Sequence, residues 1–321
     1  MLMNRQIQPY HFTKNIGNGF VPFFEKVVAE GGIVCFDFED SIHSEDGNIL
    51  SFLKNNHRKT IIGKLIDFSQ AINFNQIGFR INGSGTEFYH DDIEAIGRLK
   101  KLNCVFLPKT ESYLQIEKAL ADIPLTAEEI IPIIETRKGF ENLETILSIK
   151  DSRFLRFAFG HCDFNLSHRH FPFHHQDSAK YWEWIGSLDQ NAAAAGKKII
   201  NSPVLNLKNE SFFSFVLGKI KSCKTITGQI TLCLNQTLWC KTCSIYSGPG
   251  FPDNTVQRIN AYNHAIKTVA GFEKHKLEDR FFAVDEQGKL ISPQEYKMAK
   301  IVLNISQDEN RHCRWLFYHP T

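Results

Sequence analysis

Short apolar runs recur eight times along the chain, near residues 7–11, 32–38, 77–81, 104–107, 130–134, 154–159, 198–201 and 225–230, with helix-patterned stretches between them. Runs of this length suit buried strands better than helices. A strand–helix alternation repeated eight times predicts an α/β fold, a TIM-type (β/α)8 barrel with a parallel sheet. An open doubly wound sheet is the alternative. No G-x-G-x-x-G or P-loop follows any run, which weakens its nucleotide-binding versions. A length of 321 residues fits one barrel plus an appendage.

The intervening segments carry helix signals. "VPFFEKVVAEGG" has Pro22 in its first turn and stops at glycine. "DDIEAIGRLKKLN" aligns Ile93, Ile96 and Leu99 on one face, and "ESYLQIEKALAD" and "GFENLETILSIKD" behave likewise. "SAKYWEWIGSLDQNAAAAGKK" reads as the longest helix, ending at Gly196. The pattern changes after about residue 240. "YSGPGFPDNT" is a loop by composition, residues 254–269 read as a helix, and "ISPQEYKMAKIVLN" as another. The expected organisation is a barrel over 1–240 and a C-terminal helical extension over 241–321, folded over the barrel or over a neighbouring subunit.

Several classes of function are disfavoured. The formal net charge of +2 gives no global signal for a nucleic-acid or membrane-surface partner. No apolar run is long enough to span a bilayer, and "MLMNRQIQPYHF" lacks the apolar core of a signal peptide, so a cytoplasmic location is expected. The eight cysteines read as reduced thiols. Cys223, Cys233, Cys240 and Cys243 fall close enough together to raise zinc as an alternative, but without the paired C-x-x-C spacing of a zinc ribbon.

The charges sit at one end of the strands. The second run, in "GGIVCFDFEDSI", ends in Asp37, Glu39 and Asp40; the third, "IGFRING", in Arg80 and Asn82. The fourth, "CVFLPKTES", ends in Lys109; the fifth, "IIPIIETRKG", in Glu135, with Arg137 and Lys138 beyond; the sixth, "FLRFAFGHCDFN", in Gly160, His161 and Asp163. A single such residue is ordinarily a solvated loop residue or a helix cap, as Asp40 or Ser41 would be for the next helix. Five successive strand ends with ionisable groups of both signs predict one mouth, where barrel enzymes keep their sites. Glu135 and Asp163, from adjacent strands, form a hard oxygen pair suited to Mg²⁺ or Mn²⁺. A carboxylate pair also suits glycoside hydrolysis. Arg80 and Lys109 beside it favour an anionic substrate and stabilisation of an enolate.

In order and spacing, "FDFEDSI", "FRING", "FLPKTES", "IIPIIETRKGFEN" and "FAFGHCDFN" resemble the citrate lyase β-subunit-like branch of the HpcH/HpaI aldolase family. The resemblance covers roughly residues 30–170 and continues more weakly through "AAAAGKKIINSPV" and "VDEQGKLISPQEYKMAKIVL". It implies a TIM barrel, a homo-oligomer such as a trimer, and a Mg²⁺-dependent carbon–carbon lyase or synthase acting on a small carboxylic acid, with a CoA thioester as co-substrate. Carried over by motif, Glu135 and Asp163 are the metal ligands, and Arg80 binds substrate and steadies the enolate. Asp37, Glu39 and Lys109 support catalysis, and Asp40 and His161 are read as substrate contacts. The chain departs from the pattern three times, first in the N-terminal strand "QPYHFTKN", which lacks the small-residue and proline pattern common there. "LCLNQ" keeps only Gln236 of an Ile-His-Pro-x-Gln segment, and Ser292 stands where many members carry an acid.

"HCDFNLSHRHFPFHH" holds five of the 13 histidines within 15 residues. It reads as a mobile polar loop at the site entrance containing two buried phenylalanines, with transition-metal or anion binding as alternatives. The 27 phenylalanines read as core. The first functional expectation is therefore a Mg²⁺-dependent lyase of aldol or Claisen type, acting on a 2-oxo or 3-hydroxy acid or its CoA thioester. The alternatives are a biosynthetic aldolase with a non-CoA, phosphorylated substrate, and a non-catalytic binding subunit on the same scaffold.

Overall fold

The computed structural model describes residues 5–14, 16–42, 44, 46–242, 261–277, 283–285 and 287–308. Eight parallel strands close into a barrel in chain order: β1 (Gln8–Thr13), β2 (Ile33–Asp37), β3 (Ile77–Arg80), β4 (Leu102–Leu107), β5 (Ala127–Ile134), β6 (Arg156–Phe159), β7 (Lys198–Asn201) and β8 (Ile226–Thr231), with β8 returning to β1. The helices are α1 (Phe20–Ala29), α2 (Gly47–Asp67), α3 (Tyr89–Gly97), α4 (Tyr113–Asp122), the short pair α5 (Arg137–Glu141) and α6 (Leu143–Leu147), α7 (His161–Ser167), α8 (Ala179–Ala195), α9 (Glu210–Ser222) and α10 (Leu234–Thr242). Two further helices, α11 (Ala261–Leu277) and α12 (Pro293–Asp308), follow. The barrel expectation therefore holds over the alternative of an open sheet.

The two-residue period of the strands sorts their side chains. Tyr10, Ile33, Cys35, Cys104, Phe106, Ile131, Ile133, Ala158, Ile200 and Ile230 fill the interior. Val34, Phe36, Phe79, Val105, Ile130, Ile134, Phe157 and Phe159 face the helices. Tyr10 and Phe106 meet edge to face across the barrel at 5.6 Å. Each buried Ile, Val or Phe among these contributes about 1.5–3 kcal/mol of transfer free energy.

Two local expectations are corrected. The longest described helix is α2, with 21 residues, against 17 for α8, which does end at a left-handed Gly196. Its buried positions include Lys54 and Arg58 beside Ile61, Ile62 and Leu65, so the apolar periodicity that reveals a helix is diluted by charge. Its cap is Asp46, which accepts from the amides of Asn48 and Ile49, rather than Asp40 or Ser41; Ser41 instead donates to the carbonyl of Asp37.

The two C-terminal helices pack on each other, and α12 packs on α7. Ala265, Met298, Ala299 and Val302 form an apolar cluster with Phe173. The Gly/Pro-rich loop and residues 254–260 of the expected helix lie outside the described residues; the rest of that helix is α11, which runs on to Leu277. Among the described residues, no helix is long and apolar enough to cross a membrane. Cys223 and Cys233 contact the carbonyls of Lys219 and Leu207, Cys240 is buried in apolar core, and Cys243 lies outside the described residues.

Candidate active site

The strand register builds the mouth. Inward positions continue past the apolar interior at steps of two: Cys35 to Asp37, Gly78 to Arg80, Ile133 to Glu135. Asp37 and Arg80 are paired across β2 and β3. Arg80 donates from Nε and Nη2 to the two Asp37 oxygens, both at 2.8 Å, a bidentate charge-assisted pair. Its remaining nitrogen, Nη1, lies 3.0 Å from Glu39 Oε2 and 3.2 Å from Asp40 Oδ2. Its guanidinium carbon sits 5.8 Å from the centre of the Phe12 ring.

Lys109 joins this acidic cluster to the next one. Its Nζ pairs with Glu39 Oε1 and lies 3.8 Å from Asp163 Oδ1, while its backbone N–H donates to Glu135 Oε1 at 2.8 Å. The residue adopts φ +49°, a left-handed conformation that a side chain disfavours. Glu135 is buried and crosses Gly160: a Cβ there would stand 2.2 Å from Glu135 Oε2. Glycine at 160 is thus a condition for the placement of Glu135.

Among the described residues, Asp37, Glu39 and Asp40 pair with Arg80, Glu39 and Asp163 face Lys109, Glu135 accepts from the Lys109 backbone N–H, and the ammonium groups of Lys14 and Lys54 act on the same acids from nearby. The electrostatics reflect the imbalance. Burial, opposed by Arg80 and reinforced by Asp40, pushes Glu39 up to about 7. Burial and then the charges of Asp163 and Glu39 hold Glu135 well above the carboxylate range. Burial also raises Asp163, against the pull of Lys109. Burial disfavours both cations, yet Asp37 keeps Arg80 charged and Glu39 keeps Lys109 charged.

Such an excess of negative charge is what a divalent cation neutralises. Among the described residues, no three His, Cys, Asp or Glu side chains form a ready ligand shell. Mg²⁺ ordinarily uses one or two carboxylates with water and substrate oxygens. The residues present therefore fit a hard dication at Glu135 and Asp163.

Other residues have structural placements. The His161 ring is buried; its Nε2 lies 2.9 Å from His175 Nδ1 and its ring packs edge-on to Tyr181. His174 and His175 are also buried, and His170 stacks on Trp184, so much of the histidine-rich stretch is packed core and not a polar surface loop. Arg137 and Lys138 pair with Glu141 and Glu111 on the surface. Gln236 bonds the amide of Leu232 and the carbonyl of Val204. Ser292 caps α12 by accepting from the Glu295 amide at 3.0 Å.

Three supports escaped sequence reasoning. Lys54 of α2 donates to the carbonyls of Phe38 and Glu39 and to Asn82 Oδ1, fixing the acidic turn after β2. Asp92 of α3 accepts from the amide and side chain of Asn82 at 2.7 Å, and from Arg58 at 2.7 Å. Gln294 of α12 donates to Asp163 Oδ2 at 2.8 Å and reaches Asp40 Oδ2 at 3.4 Å. A charge on a helix reads as a solvated face, and only long-range packing shows otherwise.

The fold and the mouth define the class: a TIM-type (β/α)8 barrel with an acidic, two-cation mouth at the C-terminal ends of its strands. Its solved structural neighbours include the citrate lyase β subunit from Mycobacterium tuberculosis, at 16% identity over 77% of this chain and 99% of that one, with a TM-score of 0.57. CitE from the same organism, in complex with magnesium, acetoacetate and coenzyme A, matches at 15% identity over 96% and 100% of the two chains, with a TM-score of 0.59. RipC from Yersinia pestis matches at 19% identity over 76% and 96%, with a TM-score of 0.53. At these identities the likeness establishes the fold, the one that the ordered motifs imply. No protein-family profile matches the chain, and no curated protein sequence does.

Proposed function

We propose that the chain is a Mg²⁺-dependent carbon–carbon lyase acting on a small 2-oxo or 3-hydroxy acid. The observation that carries this reading is the convergence of Glu135 and Asp163 on Lys109, beside an Arg80 held rigidly by Asp37. Glu135 and Asp163 would hold Mg²⁺ or Mn²⁺. Bound there, the dication polarises a carbonyl and offsets negative charge.

The chain's own groups divide the remaining work. Arg80 binds the carboxylate or oxo end of the substrate and meets the negative charge that develops as the bond breaks. Asp37, with both oxygens committed to Arg80, orients that guanidinium and is poorly placed to take a proton. Glu39 suits that task. Its Oε2 is ion-paired to Arg80 Nη1 at 3.0 Å without an aligned hydrogen bond, and burial holds its carboxyl at about 7, so it can accept the hydroxyl proton of a 3-hydroxy acid near neutral pH. Lys109 positions Glu39 and offsets part of the repulsion between Asp163 and Glu135. The buried side chains of the barrel interior close the floor against water.

CoA thioesters are one substrate class for this site; a structural neighbour is complexed with magnesium, acetoacetate and coenzyme A. The engagement of Ser292 in the α12 cap, where an acid is expected for CoA-ester cleavage, favours a second reading: an aldolase acting on a free or phosphorylated acid. Assays with Mg²⁺ against a panel of 3-hydroxyacyl-CoA thioesters and a panel of pyruvate plus aldehydes separate the two. Turnover in either panel, abolished by EDTA and by Arg80→Met, supports the lyase. Titrations showing no binding of Mg²⁺ with oxaloacetate, pyruvate or acetyl-CoA would overturn it in favour of a non-catalytic subunit.

A further inference from the structure

The mouth receives one contact from far along the chain. Gln294 lies on α12, 131 residues beyond Asp163 and 254 beyond Asp40, and its amide nitrogen reaches both. We propose that Gln294 is a positioning residue of the mouth, whose carboxamide holds Asp163 in the orientation that leaves Oδ1 facing Lys109 and the cation position. The inference rests on the reading of Glu135 and Asp163 as the cation site.

The donor has the right chemistry. A carboxylate that ligates a metal through one oxygen is ordinarily fixed by a hydrogen bond to the other. Gln294 supplies that bond to Oδ2 at 2.8 Å, and Oδ1 remains on the side of Lys109, 3.8 Å from its ammonium. A carboxamide orients the carboxylate without cancelling its charge. Lysine at 294 would compete with the cation, and glutamate would add a sixth acid to the five at the mouth.

The donor is also held firmly. Pro293 opens α12, where its missing N–H is no loss, and Ser292 Oγ fixes the first turn through the Glu295 amide. Glu295, the next residue, is buried, with Oε1 at 3.7 Å from His175 Nε2 and 3.5 Å from His264 Nε2. One helical turn on, Met298, Ala299 and Val302 enter the apolar cluster with Ala265 and Phe173. The amide is therefore anchored from the histidine-rich stretch and from α11, and this chain's own C-terminal helix forms a wall of its own mouth.

Isothermal titration with Mg²⁺ alone tests this in four full-length proteins: the wild type, Asp163→Asn, Gln294→Met and Gln294→Ala. Gln294 is half-buried, and Met keeps its length and packing while removing the donor. The expected result is strong loss of Mg²⁺ binding in Asp163→Asn and a weakening of about tenfold to a hundredfold in both Gln294 variants, with unchanged Tm. Wild-type affinity in Gln294→Met, alongside loss in Asp163→Asn, would assign Gln294 to packing and overturn this inference while leaving the cation site intact. Absence of Mg²⁺ binding by the wild type, or full binding by Asp163→Asn, would overturn both.

Discussion

The two ends of the barrel both bury charge, and they balance it in opposite ways. At the N-terminal end, Arg156 donates to Glu129 from Nε at 2.8 and 3.0 Å and from Nη2 at 2.5 Å, and to Gln8 from Nη1 at 3.1 Å, with Tyr10 completing the cluster through Gln8. One acid meets one base, and the guanidinium lies 5.9 Å from the Tyr10 ring centre. At the C-terminal end, among the described residues, five acids crowd around Arg80 and Lys109, with Lys14 and Lys54 nearby, and three of the acids are pushed upward. A closed pair is complete without a ligand. An acid excess is a standing electrostatic strain that binding of a cation relieves. On the proposed reading, the same fold uses its lower charges for cohesion and its upper ones for chemistry.

The comparison can be broken most directly at the mouth. Glu135→Gln is expected to remove detectable Mg²⁺ heat in calorimetry together with turnover, while Arg156→Met leaves Mg²⁺ affinity at the wild-type value. Gly160→Ala should come close to the same loss, because its Cβ would occupy the Glu135 carboxylate position; the displaced packing adds about 1–3 kcal/mol of destabilisation in denaturant titration. At the other end, Arg156→Met strands Glu129 in a buried position. It should cost about 3 kcal/mol, the low end of the range for a broken buried pair because Arg156 is 25% exposed. Adding Glu129→Met should return much of that stability.

A ligand sharpens the contrast. Mg²⁺ at a hundred times its Kd should stabilise the wild type and Arg156→Met alike by about 2.7 kcal/mol, read from thermal melts, and leave Asp163→Asn unmoved. A neutral region serves as the control. His11 is buried against Phe23 with Nδ1 2.8 Å from Thr237 Oγ1, and burial lowers it to about 4. A histidine depressed in the fold binds its proton more readily when unfolded, so its stabilising effect is complete above the unfolded pKa and is lost as pH falls towards 4. Between pH 6.5 and 5 the loss is about 1.6 kcal/mol, and His11→Gln should flatten that part of the stability curve with Mg²⁺ absent.

Much of the mouth was legible because strands obey a strict period. Once Cys35, Gly78 and Ile133 are interior, Asp37, Arg80 and Glu135 must follow them inward. Helices gave less. Lys54 and Arg58 look like a solvated face of α2, and only the approach of the β2 and β3 loops makes them buried supports. His161 follows β6 as a rim residue would, but it lies in α7, whose packing against α8 and the histidine-rich stretch places its ring beside Tyr181 and His175.

The sequence by itself determined the barrel, its interior and the acids and bases at the strand ends, since all of these follow from periodicities of two and 3.6 residues acting locally. Tertiary structure alone decided that Gln294 meets Asp163, that Glu295 meets His175 and His264, and that Gly160 makes room for Glu135. The reason is physical. These contacts depend on how closed layers bring distant segments within hydrogen-bond reach, and a hydrogen bond forms or fails over a few tenths of an ångström, which no local pattern encodes.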